Sequence, residues 1–488
     1  MAKNLMIQGT MSGAGKSILT AGILRVLTED GYRAAPFKSQ NMALNSFVTR
    51  DNKEMGRAQV VQAIAAGREP SSDMNPVLLK PMGDTTSQVI VNGEPIGNMK
   101  ASEYYNMKDS LIPDIMAAYD RLSAESDVVV IEGAGSPVEI NLRDNDIVNM
   151  GLAELVDAPV LLVGNIDPGG VFAQLLGTLN LMTEKERSRV KGLIINKFRG
   201  DKNLLLPGLK MFGKYSDIPF AGIVPYTELD IDDEDSVSER LQNRAGAGKK
   251  KSDIRISVIK LPFISNHSDF TVFSSAPGVE LIYAKTPDDL ENTDLIIIPG
   301  TKNTLSDLSW LRDSGMEDVI LSYHSRGTLV IGICGGFQML GESVEDKEGN
   351  EGGGSLKGLS LLPLSTVFSS DKTLKQVKGQ IGNIGGEYGE LSGAGFTGYE
   401  IHMGVTKGNM DIFPAAVNGN VLGTYIHGFF DSPDILNKLL KILYNRKGLK
   451  PGQVMEDHDT HMMKELHKLA GVLRENLDME MIIKTIGL

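Results

Sequence analysis

A single cysteine occurs in the 488 residues, and it stands in TLVIGICGGFQML, Thr328 to Leu340. An apolar run ends there in Gly332-Ile333-Cys334-Gly335-Gly336, and a helical FQML follows. This is the pattern of a strand, tight turn and helix that projects a nucleophile from a G-x-nucleophile-x-G elbow. Small residues are required around Cys334 because the turn imposes strained dihedrals. The helix start behind it favours the thiolate, which is the reactive form. The Gly335 amide can serve as one oxyanion donor, and the loop PGTKNT, Pro299 to Thr304, can supply the second. The competing reading is a small buried hydrophobe. A basic partner decides between the two.

Seven histidines are available. His427, in GTYIHGFF, ends an apolar run in the same half of the chain, the order expected of a cysteine and a histidine brought together by the fold. His402 in GYEIHMG is a second candidate, whereas His458, His461 and His467 lie in a polar tail and read as solvated. An orienting acid two positions after the histidine is missing, because Phe429 stands there. Asp431 or Glu400 could take that role, or no acid does. Gln338, one helical turn past Cys334, either holds a substrate or caps its helix.

A second reactive pattern lies at the other end of the chain. GTMSGAGKS, Gly9 to Ser17, follows an apolar strand and precedes a segment with apolar residues at helical spacing. In such a loop the backbone around Thr10, Ser12, Gly13, Ala14 and Gly15 cradles phosphate oxygens, Lys16 reaches the β- and γ-phosphates, and the Ser17 hydroxyl binds Mg²⁺. The spacing from Gly9 to Gly15 is one residue longer than the usual phosphate loop. An acidic Mg²⁺ partner belongs at the end of another strand, and Glu132 in VVVIEGAG has that position. Its alternative is a structural carboxylate capping the following turn.

These residues need strand ends to hold them. NLMIQG, RAAPFK, DVVVIEGAG, PVLLVGNID and GLIINKF are short, apolar and bounded by Gly, Asp or Pro, with helical patterns between them. Such runs imply a parallel sheet covered on both faces, with ligands at its carboxyl edge. RLQNRAGAGKKKSD then reads as a linker or a long solvated loop. A second α/β series follows in RISVIKLP, VELIYA, DLIIIPG and TLVIGIC, and the glycine-rich stretches around FTGYEIHMG and VLGTYIHGFF suggest antiparallel pairing. Ser432-Pro433 opens a helix that Gly448 stops. The expected organisation is an α/β, parallel-sheet P-loop ATPase-type domain over 1–235, a linker over 236–253, an α/β domain carrying Cys334 over 254–448 and a helical tail over 449–488.

The formal net charge of −13 disfavours a nucleic-acid partner. No apolar run approaches the roughly 18 residues needed to span a bilayer, and the first residues lack a secretory pattern. One cysteine fits a reducing compartment, so a cytoplasmic protein is expected, with a homo-oligomer left open.

Longer stretches carry a resemblance. PFKSQNMALNSFVTRD (Pro36 to Asp51), EMGRAQVVQA (Glu54 to Ala63), IEGAGSPVEINLRDNDIVNMG (Ile131 to Gly151), GGVFAQLLGTL (Gly169 to Leu179), ICGGFQMLG (Ile333 to Gly341) and GTYIHGFFD (Gly423 to Asp431) are similar to the cobyric acid synthase family, in order along nearly the whole chain. The resemblance implies a dethiobiotin-synthetase-like ATPase fused to a class I glutamine amidotransferase-like domain. It further implies ATP and Mg²⁺, L-glutamine as nitrogen donor, and a corrinoid substrate amidated at its b, d, e and g carboxylates. It places the nucleophile on Cys334 and the other catalytic residue on His427, with no clear acid as third member. Asn165 and Pro168 depart from the Asp and Arg expected of the family, which would shift phosphate or corrinoid contacts to Lys197 or Arg199. Lys38, Lys80 and Arg143 are further candidates for corrinoid carboxylates, each with the alternative of an ordinary surface base. The nearest rival is a cobyrinic acid a,c-diamide synthase; a non-catalytic partition or switch ATPase is the rival of another class.

Overall fold

The computed structural model describes residues 2–83, 85–231, 252–450 and 454–488. The expected linker, 236–253, lies outside the described residues apart from Ser252 and Asp253. The first sheet has six strands in the order Phe220–Pro225, Val190–Phe198, Val160–Asn165, Lys3–Gly9, Val128–Glu132, Ala34–Phe37. All of these neighbours run parallel. Alternation along Lys3–Gly9 sends Met6 to one face and Leu5 and Ile7 to the other, and each face has its own fully buried core. The register pairs Gly9 with Val163 and Ile7 with Glu132, so the phosphate loop and Glu132 emerge at the same carboxyl edge.

The helices His458–Asn476 and Met479–Ile486 of the tail complete that N-terminal core rather than standing apart. Leu466, Leu469, Ala470 and Leu473 share a core with Leu19, Ile23 and Leu27 of the helix Lys16–Glu29. Close approach is possible because Gly22 has no side chain: a Cβ there would stand 2.4 Å from Leu473 Cδ1. Asp478 N–H donates to Ala221 O at 2.7 Å, tying the tail to the edge strand Phe220–Pro225.

The second large sheet runs Val279–Ala284, Ile254–Ile259, Leu295–Ile298, Leu329–Ile333, Val421–Thr424, Ala416–Asn418. Antiparallel pairing was expected around VLGTYIHGFF, and Val421–Thr424 pairs antiparallel with Ala416–Asn418 while Ile426–His427 pairs antiparallel with Gly395–Gly408; on its other side Val421–Thr424 lies parallel to Leu329–Ile333. Its place between two strands fits its burial, since Val421 and Leu422 are fully buried. The long strands Leu364–Gln380 and Gly395–Gly408 form an antiparallel pair beside this sheet. Between the two halves stand a mixed sheet, with strands Gln40–Met42, Val77–Pro81, Thr86–Val91 and Glu94–Lys100, and a hairpin of Ser46–Val48 with Glu54–Gly56. Among the described residues, no helix is long and apolar enough to cross a membrane.

Candidate active sites

Register brings the second site together. Gly332 pairs with Ile298 on one side and Gly423 on the other, so the Pro299–Thr304 loop, Cys334 and His427 all leave the same sheet edge. Cys334 has φ 51° and ψ −108°, a strained conformation for a residue with a Cβ, and it precedes the helix Gly335–Leu340. The crowding requires its glycines: a Cβ on Gly336 would stand 2.0 Å from Ile298 O. A Cβ on Gly335 would meet the Thr301 amide nitrogen at 3.1 Å, so Gly335 packs directly against the Thr301 backbone. Thr301 is held by Asp307, which accepts from its hydroxyl and lies buried under the loop.

His427 is fully oriented. Its Nδ1 lies 2.7 Å from Asp269 Oδ2, while Gly428 N–H donates to Asp269 Oδ1 at 3.0 Å. A carboxylate accepting at Nδ1 assigns the proton to that nitrogen and leaves Nε2 for the Cys334 sulfur. Burial alone would lower the imidazole pKa, but the charge and hydrogen bond of Asp269, helped by the Cys334 sulfur, outweigh it and raise the value to about 10. An imidazolium beside the sulfur stabilises thiolate, which is the nucleophilic state.

Asp269 therefore takes the place sought at Asp431 or Glu400. Asp431 instead faces Arg57 at 3.9 Å, and Glu400 pairs with Lys375 and with His402, whose ring stacks on Tyr425. Asp269 lies 158 residues before His427, so no local spacing could have pointed to it. Gln338 does not cap its helix. It accepts from Thr304 Oγ1 at 3.3 Å and donates to Met403 O and Tyr425 Oη, which fixes one wall of the Cys334 pocket. Of the remaining tail histidines, His461 meets Asp230 and His467 meets Glu29, far from this chemistry.

At the first site, Gly13 and Gly15 adopt φ 74° and 84°, turning the loop so that its amides gather at the start of the helix Lys16–Glu29. A Cβ on Gly15 would stand 2.3 Å from Asn196 Nδ2, which donates to Ala14 O at 2.9 Å. Thr10 N–H donates to Val163 O, its hydroxyl meets Gln174, and Ser12 is exposed at the mouth. Buried Lys16 donates to Met11 O and Gly135 O at 3.1 and 3.2 Å, lying across the loop. Ser17 Oγ donates to Glu132 Oε1 at 2.8 Å. That carboxylate is also met by Lys38 Nζ at 2.9 Å and Gln62 Nε2 at 2.5 Å. Burial would raise its pKa, yet the Lys38 charge and these hydrogen bonds leave it lowered, hence ionised. A hydroxyl and an ionised carboxylate suit a hard divalent cation. Among the described residues no cluster of three or more acidic, histidine or cysteine side chains stands ready to hold one.

Asn165 has a use here that aspartate could not fill: its Nδ2 donates to Gly13 O at 3.3 Å, bracing the loop. Of the basic candidates, Lys38 is committed to Glu132. Lys80 is buried against Glu54 and lines the Cys334 pocket, so it is not an open corrinoid contact. Arg199 stacks over Tyr226 at 3.5 Å and pairs with Asp167. Lys197, with φ 59°, lies beside Gly15, and Arg143 reaches Leu181 O and Glu186.

Comparison with known proteins bears on both sites. Residues 255–435 match the family described as "CobB/CobQ-like glutamine amidotransferase domain", and residues 3–233 match one described as "AAA domain". Curated relatives named "Cobyric acid synthase" include one from Lachnoclostridium phytofermentans, 51% identical over 99% of this chain and 98% of its own. Another, from Ruminiclostridium cellulolyticum, is 51% identical over 100% of this chain and 97% of its own. A third, from Alkaliphilus metalliredigens, is 48% identical over 98% of this chain and 99% of its own.

Proposed function

The chain belongs to the cobyric acid synthase family, and on that footing we infer that it converts adenosylcobyrinic acid a,c-diamide to adenosylcobyric acid by amidating the b, d, e and g carboxylates. ATP and glutamine are consumed. The observation that carries this reading is one chain holding both a phosphate loop and a strained cysteine with an imidazole oriented by Asp269. A switch ATPase has no use for the second site. Full-length similarity to cobyric acid synthases likewise disfavours the a,c-diamide synthase alternative.

In the half from residue 254 to 448, the Cys334 thiolate attacks the side-chain amide carbon of glutamine. The Gly335 and Thr301 amides face the developing oxyanion. As the C–N bond breaks, His427 gives its Nε2 proton to the departing ammonia, and it then takes a proton from the water that hydrolyses the thioester to glutamate. In the half up to residue 235, completed by the tail helices, a corrinoid carboxylate takes the γ-phosphoryl group of ATP. Ammonia displaces phosphate from the acyl phosphate, forming the amide. The loop amides and Lys16 hold the phosphates in line and offset their charge. Mg²⁺, when bound, neutralises the β- and γ-phosphate oxygens, and Ser17 and Glu132 are the groups that would hold it. Arg143, Lys197 and Arg199 remain the basic side chains beside this edge for the corrinoid's carboxylates. A catalytic thiol suits the reducing cytoplasm.

Mass spectrometry of the corrinoid after incubation with ATP and glutamine tests the reading. The native chain is expected to add four amides, and Cys334→Ala to lose glutamine-dependent addition while keeping amidation at high ammonia. A native chain that amidates only cobyrinic acid itself would mean the a,c-diamide alternative.

A further inference from the structure

The pocket at Cys334 contains a buried cation that the glutaminase chemistry has not used. Lys302 is 9% exposed and lines the pocket with Cys334, Gln338 and Glu351. Its Nζ donates to the neutral Gln88 Oε1 at 3.0 Å. Among the described residues, no carboxylate oxygen lies within the 4.0 Å of an ion pair. The other two lysines on this wall differ: Lys80 Nζ lies 2.8 Å from Glu54 Oε1, and Lys372 meets the other oxygen of the same carboxylate. Burial, with the charges of Lys372 and Lys80 nearby, lowers the Lys302 pKa to about 7 against the weaker opposing pull of the Glu351 and Glu54 carboxylates. A desolvated ammonium whose hydrogen bond goes to a neutral acceptor, with the Glu351 and Glu54 carboxylates acting only from beyond ion-pair contact, is costly unless an anion completes it.

Geometry restricts which anion that is. Lys302 follows Thr301, whose amide abuts Gly335 beside the nucleophile. In glutamine the α-carboxylate carbon lies roughly 5 Å from the amide carbon by standard bond lengths. With the amide carbon at the Cys334 sulfur, the far end of the substrate falls within one lysine side chain of Thr301.

We propose that Lys302 binds the α-carboxylate of glutamine, held in place by Gln88 from the N-terminal half, so that the synthetase half completes the glutaminase pocket. This rests on the glutaminase reading of Cys334. It gives Gln88 a purpose as a positioning residue, since its carbonyl also accepts from Lys372 at 3.3 Å and so spaces the two ammonium groups.

Steady-state hydrolysis by the full chain, with L-glutamine and with its α-carboxamide analogue glutaminamide, tests the proposal. Lys302→Met is expected to raise KM for glutamine roughly 10- to 100-fold, the loss of a charge-assisted hydrogen bond, with kcat little changed. The native preference for glutamine over glutaminamide should collapse with it, and Lys302→Arg should restore that preference. The thermal midpoint of Lys302→Met should not fall, because a buried cation that makes no ion-pair contact has been removed. An unchanged preference between the two substrates overturns the proposal, as does equal loss with both together with a lowered midpoint. Absence of hydrolysis by the native chain, or its persistence in Cys334→Ser, would overturn the glutaminase reading instead.

Discussion

Cys334 holds φ 51° and ψ −108° only because the strand behind it and the helix ahead leave no other path. Glycine takes such a conformation at little cost, so Cys334→Gly should be more stable than Cys334→Ala by about 1–3 kcal/mol, read from urea midpoints, with both lacking glutaminase activity. Asp269 acts through the imidazole. Asp269→Asn removes the charge and turns one of the two acceptor oxygens into a donor, so the tautomer is no longer fixed, and it should lower glutaminase kcat by roughly 10²- to 10⁴-fold, with ammonia-dependent amidation retained. The pH signature follows from the raised pKa of His427. The imidazolium's contribution to stability is complete below the ordinary value of 6.5 and is lost as pH rises through about 10. The thermal midpoint of the native chain should therefore fall over that interval more than that of Asp269→Asn. At this scale the strained cysteine turn and the phosphate loop were legible because each is a local chain shape written in adjacent residues. Asp269 was not, because its contact is made only when Phe270 and Phe273 pack on Phe430 and carry it beneath His427.

Elements show a similar division. The parallel strands could be read from apolar runs of the right length, and Ser432-Pro433 announced the helix Pro433–Arg446. The hairpin Thr86–Val91 with Glu94–Lys100 also carries a signal, Asn92-Gly93 between two pairing segments, but Pro95 and Gly97 blur the alternation in its second strand. The tail's destination had no such mark. Its helix His458–Asn476 is amphipathic, and what its apolar face covers depends on the chain returning across the molecule to Gly22. That return makes the tail structural. Gly22→Val drives a side chain into Leu469 and Leu473 and should destabilise by about 1–3 kcal/mol. Leu473→Ala should cost about 2–5 kcal/mol by leaving a cavity in the same core. Both changes lie away from Cys334, so denaturant melts should shift while glutaminase KM at moderate temperature holds.

Over the whole molecule, the synthetase half forms part of the glutaminase wall. The hairpin Ser46–Val48 and Glu54–Gly56 reaches across: Ser46 O accepts from Tyr399 Oη at 2.9 Å, and the Tyr399 ring stacks on His427. Glu54, fully buried, pairs with Lys80 from its own half and Lys372 from the other. Burial would raise its pKa, but the Lys372 and Lys80 charges hold it well below the usual carboxylate range. The clamp's stability is therefore present above the ordinary carboxylate pKa and is lost only as pH falls into strong acid. On the proposed reaction, ammonia released at Cys334 would meet these side chains on the wall shared with the synthetase half. Free ammonia is mostly ammonium at neutral pH and unreactive, so the proposed reaction calls for a shielded passage along this wall to preserve the nucleophile. With glutamine labelled by ¹⁵N in its amide and excess unlabelled ammonium outside, the native chain should place mainly ¹⁵N in the corrinoid amide. Glu54→Gln leaves two buried lysines without their shared counter-charge, a change of about 3–5 kcal/mol for a buried pair, and should loosen the hairpin from Tyr399. The label should then be diluted by outside nitrogen and more glutamine hydrolysed per amide formed. Equal dilution in native and variant chains would mean that ammonia crosses through bulk solvent, and that the clamp serves folding alone.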